Sequence, residues 1–239
     1  MGFFGELWEG VRDVASKLWE GAKVVVSTIA KVGPRVLAVA KPLVKALCVI
    51  APQLRVPLEI VLKSAETVVQ LACVACGLIA PEESVSELGE RALEAGEQGI
   101  HPEDFEDPEE YLNAVRRTPL AKNRDKWTDE ERSLSGISTL AYCLQVKFSI
   151  SPEIYPLFVR YSKFFTERRM EGYIKYAVKT GFDLSHLTDF FSSNSTVAEK
   201  GAALDFMKKA EEAINPGFDM ESFVEELLKA KQERPEGTV

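Results

Sequence analysis

"LWEGVRDVASKLWEG", residues 7–21, repeats the tetrad Leu-Trp-Glu-Gly at a spacing of eleven. Eleven residues make very nearly three turns of an α-helix. Leu18 and Trp19 therefore stand above Leu7 and Trp8 on one face. Extending that period outward predicts a single amphipathic helix over residues 3–32. Phe4, Leu7, Trp8, Val11, Val14, Ala15, Leu18, Trp19, Ala22, Val25, Val26 and Ile29 fall within an arc of about 140°. Glu6, Glu9, Asp13, Lys17, Glu20 and Lys31 fall on the opposite side, and Arg12 and Lys23 flank the arc. Glycines at 5, 10 and 21 weaken the helix by about 1 kcal/mol each relative to Ala. Such a helix needs a surface to lie against.

Residues 33–80 differ in character. Pro34, Pro42, Pro52 and Pro57 punctuate them. Because proline breaks a helix interior, "RVLAVAK" and "LVKALCVIA" read as short separate helices. The 23 residues after Pro57, "LEIVLKSAETVVQLACVACGLIA", read as one long helix. The polar faces are thin throughout. The longest stretch without charge, Thr67 to Pro81, is shorter than the roughly 20 apolar residues of a membrane span.

Residues 82–110 carry twelve acidic residues against one base, Arg91. "SVSELGERALEAGEQG" predicts a short exposed helix, and "IHPEDFEDPEE" a turn-rich connection. Residues 81–126 thus read as an acidic linker with short helices. It divides an apolar helical region, 1–80, from a helical bundle domain, 127–239. A calcium loop does not fit the order of acids here. Arg116, Arg117, Lys122, Arg124 and Lys126 form a small basic cluster whose simplest reading is pairing with the acidic run.

The bundle is written in helix caps. Thr128-Asp-Glu-Glu131 and Thr196-Val-Ala-Glu199 are capping boxes. Ser151-Pro152 predicts an N-cap followed by Pro at N1, opening a helix through "YPLFVRYSKFF". Asp183 and Asp219 predict two further starts. Phe148, Phe158, Phe164, Phe165, Tyr173, Phe182, Phe190, Phe191, Phe206 and Phe223 supply an aromatic core. No hairpin or βαβ pattern occurs, so the fold class is all-α.

The net charge of −8 argues against general nucleic-acid binding. The charge is uneven: residues 1–80 hold nine Lys/Arg against six Asp/Glu. Of the four cysteines, Cys48, Cys73 and Cys76 lie in apolar stretches and read as buried thiols, the C-x-x-C at 73–76 as packed helix residues. The two histidines, His101 and His186, sit in unrelated contexts. No nucleophile elbow, zinc motif, P-loop or dinucleotide fingerprint occurs. No catalytic residue, cofactor or metal is expected, and an enzyme would need a site assembled from distant positions.

The expected interaction residues are Phe4, Leu7, Trp8, Val11, Leu18, Trp19, Val25, Val26 and Ile29. Tryptophan favours a membrane interface, and an eleven-residue repeat keeps an apolar stripe straight along a helix. With the apolar, proline-broken segment that follows, this points first to a non-enzymatic membrane-active protein. It would be a pore-former, toxin or membrane-targeted effector engaging the bilayer through residues 1–80. The alternative is a soluble helical scaffold or adaptor whose N-terminal helices serve self-association or partner binding. The expected partners are accordingly membrane lipid, a partner protein helix or a second copy in a homo-oligomer. No classical secretory signal is read, which fits a membrane-associated or cytoplasmic location.

Overall fold

The computed structural model describes residues 3–192 and 196–232; the side chains of residues 3–13 and of Arg124 lie outside the described set. The described residues form eleven α-helices and no strand. In order they are α1 (Phe3–Ile29), α2 (Pro34–Leu54), α3 (Leu58–Ala75), α4 (Val85–Glu97), α5 (Pro108–Arg117), α6 (Asp129–Phe148), α7 (Ile154–Arg160), α8 (Glu167–Thr180), α9 (Ser185–Ser192), α10 (Val197–Ile214) and α11 (Met220–Gln232). Two 3₁₀ turns, Pro102–Asp104 and Arg124–Lys126, flank α5.

Local chemistry places most of the starts. Thr128 accepts from the Glu131 amide at 3.2 Å, and the Glu131 carboxylate accepts from the Thr128 amide at 2.8 Å. Thr196 and Glu199 repeat the arrangement ahead of α10. Asp183 accepts from Ser185 N and Asp219 from Ser222 N.

Several elements depart from the sequence reading in their extent. Pro42 does not divide α2, which runs unbroken from Pro34 to Leu54. A proline at 42 leaves the carbonyl of residue 38 without its helical donor; both residues are exposed, so water can complete the bond. Helix α3 stops at Ala75, where Gly77 takes φ +69°. There Leu78 N donates to Cys73 O and Gly77 N to Val74 O, closing a Schellman cap. The expected connection at 100–110 contains the start of α5, whose N-cap Asp107 accepts from Glu109 N at 2.8 Å, with Pro108 at N1. The helix expected to open at Ser151 with Pro152 at N1 opens instead at Ile154, after a turn and with Glu153 at its N-cap, and is short; a second, α8, follows from its own cap at Thr166.

Helix α6 is the hub. It packs against α1, α2, α3, α4 and α5. Its crossing with α4 is close, because Gly89 and Gly136 meet there. A Cβ on Gly89 would lie 2.0 Å from the Arg132 carbonyl oxygen, and one on Gly136 would lie 1.9 Å from that of Val85. Helix α4 is therefore half-buried rather than exposed, with Leu88, Ala92 and Leu93 inside. The turn between α1 and α2 also docks on α4, with Gly96 against the Lys31 carbonyl. Lys31 pairs with Glu97 at 2.9 Å and lies 4.5 Å from the Trp127 ring centre.

Helices α2 and α3 carry the packing onward to α7, and α3 to α8. Helix α10 covers α8 and α9. Most of the expected aromatic core is buried: Phe158 and Phe165 fully so, while Phe182 is half-buried and stacks on Phe206 at 4.0 Å, and Phe148 is half-buried at its edge. One cluster of buried side chains runs from Ala22 to Leu227.

Candidate functional site

The composition of α2 is explained by its having two apolar faces. One face, with Val36, Val39, Ala40, Val44, Leu47 and Ala51, is buried. The other, with Pro42, Ala46, Val49 and Gln53, follows the spacing i, i+4, i+7, i+11 of a single helix face. That face does not enter the core. It forms one wall of an open groove of about 500 Å³. Helix α7 and the turn before it form the opposite wall with Pro152, Pro156 and Leu157, and α9 contributes Thr188 and Phe191. Three of the lining residues are prolines, which bring no backbone N–H, so the walls are poor in donors as well as apolar.

Few polar groups face this groove. Lys45 and Arg160 stand exposed on its rim, and neither pairs with a carboxylate among the described residues. The Arg160 guanidinium lies 5.3 Å from the Tyr161 ring centre. Glu153 is the one acid in the lining. Gln53 Oε1 and Thr188 Oγ1 are buried with no hydrogen-bond partner.

The residues expected from sequence lie on α1. Val26 and Ile29 are buried in the core, and Leu18, Trp19 and Val25 are partly buried against it. The neighbours of α1 are α2 and α6. Phe4, Leu7, Trp8 and Val11 fall outside the described side chains. Thr28 anchors the far end of the helix by donating to Glu131 Oε1 at 2.7 Å.

Other charged and nucleophilic groups are committed to the architecture. Arg116 makes a two-point pair with Glu83, at 2.7 and 2.9 Å, and also donates to Leu78 O. Lys126 pairs with Glu94 and Glu97 at 2.5 and 2.6 Å. These two members of the basic cluster thus serve the acidic run. Buried Glu90 accepts from Ala121 N at 3.0 Å. Buried Glu211 accepts from Tyr173 Oη at 2.8 Å and pairs with Arg169, joining α8 to α10. His101 Nδ1 lies 3.1 Å from the Val32 carbonyl and donates to it, bracing the α1–α2 turn. His186 packs edge-on against Phe182.

All four cysteines are free. Burial pushes the thiols of Cys48 and Cys76 up to about 11 and that of Cys143 up to about 12. Cys73 is raised too, first by burial and then by the neighbouring Cys143 and Cys76. Thiols so placed are poor nucleophiles at neutral pH. Among the described residues no three His, Cys, Asp or Glu side chains stand together as a metal set. The groove is the feature that sequence reasoning missed. Its one local signal is that α2 is apolar nearly all round, which a helix with a single buried face is not.

Comparison with protein-family models, with curated proteins and with solved structures returned no match.

Proposed function

We propose that this chain is a non-enzymatic helical scaffold that binds a protein partner through apolar surface carried by its N-terminal helices. One observation supports this above the others: the apolar segment 34–75 is used as internal structure. Helix α2 spends one face in the core and turns the other to a concave groove. Apolar grooves between helices, with polar groups at the rim, receive the apolar face of a partner's amphipathic helix. A bilayer presents a broad, flat surface and suits a convex apolar stripe instead.

Bilayer engagement is the second reading, and a specific feature favours it. Helix α2 has 21 residues, and its most apolar 18-residue stretch, of mean hydropathy 1.5, is long and apolar enough by length and composition to cross a membrane. Half of that stretch is buried inside the protein. Crossing would require α2 to leave α1, α3, α6 and α7.

Flotation with vesicles of phosphatidylglycerol and phosphatidylcholine separates the two readings. The scaffold reading expects the protein to stay at the bottom of the gradient, with unchanged tryptophan emission. Co-flotation with a blue shift would overturn it. A control lacking Trp127 needs care, because Trp127 is buried and its Nε1 donates to Glu94 at 2.8 Å. Trp127→Phe is expected to lower stability by about 1 kcal/mol.

A further inference from the structure

The groove carries more information than its apolarity. The geometry points to its occupant: an acidic amphipathic helix of a different protein, laid between α2 and α7 with its carboxylates against Lys45 and Arg160. This rests on the scaffold reading above and adds the partner's chemistry to it.

Charge supplies the first argument. The chain carries a net charge of −8, yet from residue 33 to 58 it holds Arg35, Lys41, Lys45 and Arg55 and no acid. Of these four only Lys45 lines the groove, where Arg160 of α7 joins it, so the groove carries an excess of one positive charge over Glu153 on an otherwise acidic molecule. Lys45 and Arg160 border the groove without carboxylate partners among the described residues. Glu153 offsets one of these charges. Such a face steers acidic partners and repels basic ones.

Shape supplies the second. From Pro42 to Gln53 the α2 wall is about 16 Å long at 1.5 Å per residue, or three helical turns. A partner helix with large apolar residues at i, i+3, i+4, i+7 and i+11 spans that length and places its flanking residues at the rim.

The chain's own best candidate, the stripe on α1, is already in use: Val26 and Ile29 are buried in the core, and Leu18, Trp19 and Val25 pack against it.

The test uses two fluorescein-labelled, 18-residue synthetic helices with identical leucine stripes, one flanked by Glu and one by Lys. Binding to the full chain is read by fluorescence anisotropy at low salt. The Glu-flanked helix is expected to bind the wild type at least about tenfold more tightly than the Lys-flanked one. Lys45→Glu with Arg160→Glu should reverse that order. Both residues are exposed, so the fold should survive, and far-ultraviolet circular dichroism checks it. Val49→Asp, at another exposed position, should weaken both helices. Equal binding of the two helices, or no binding of either, would overturn the inference. So would vesicle binding that the double reversal abolishes, or a concentration-dependent dimer that it disperses. Wild-type protein that ignores both helices and vesicles loses this occupant but keeps the scaffold reading. Wild-type protein that floats loses both.

Discussion

At the scale of single residues, burial rather than motif decides what the reactive groups do. Cys48, Cys73, Cys76 and Cys143 illustrate it. A thiol moved from its ordinary 9.0 to about 11 holds about a hundredfold less thiolate at pH 8. Cys48 and Cys76 should therefore label with a thiol reagent at least about a hundredfold more slowly in the native protein than in urea. Rapid native labelling would show that these sites open. Glu83 gives a pH dependence. Its two-point pair with Arg116 holds its carboxyl below the ordinary 4.5. A lowered carboxyl stabilises the fold fully above its unfolded value and ceases to as pH falls through the folded one. Glu83→Gln should thus cost about 1 kcal/mol at pH 7, or about 2–4 °C in Tm, and much less at pH 3. An unchanged difference at the two pH values would show that the pair contributes nothing through its charge.

At the scale of elements, what was legible in the sequence was what neighbouring residues settle among themselves. The capping boxes at Thr128 and Thr196 and the caps at Asp183 and Asp219 are local bonds, and each appears where expected. The same rule was available at Asp107-Pro108, where the crowd of acids disguised it. Gly77 likewise marked the end of α3, but the apolar run around it read as continuation. Pro42 went the other way: it looked like a break because its exposure, which makes the lost bond tolerable, depends on tertiary packing. The glycines at the α4–α6 crossing are the strictest element-scale constraint. Gly89→Ala or Gly136→Ala must push backbone from backbone, since the atoms met are main-chain. Either should cost at least about 2 kcal/mol. That corresponds to a fall of about 4–8 °C in Tm by differential scanning calorimetry. Gly201→Ala meets nothing within 4 Å and serves as the control.

At the scale of the whole molecule, α6 is the element to watch. Sequence composition expects a boundary near residue 81 and a bundle from 127 onward, and a fragment spanning 120–239 checks it. Helix α6 buries Ile137, Leu140 and Leu144 among helices that nearly all precede it. Removing residues 1–119 uncovers α1, α2, α3, α4 and α5 contacts together. The fragment is expected to keep helical dichroism and to melt without a sharp transition. A cooperative melt near that of the full chain would place the boundary as composition has it. The groove could not be read from sequence because α2 supplies one wall while α7 and α9, about a hundred residues later, supply the others. No local pattern joins positions so far apart.

The two-faced α2 ties folding to occupancy. Any partner that binds only the native state stabilises it by mass action, to about 2.7 kcal/mol at a hundred times its dissociation constant. Here that stabilisation falls on a helix whose other face is core, so it cannot be shed by local fraying. Saturating the groove should raise the melting temperature of the entire chain by about 5–10 °C. Val49→Asp should cancel the rise while barely moving the unliganded melt. A thermal-shift screen of candidate helices would then rank them without any knowledge of what the protein does in its cell.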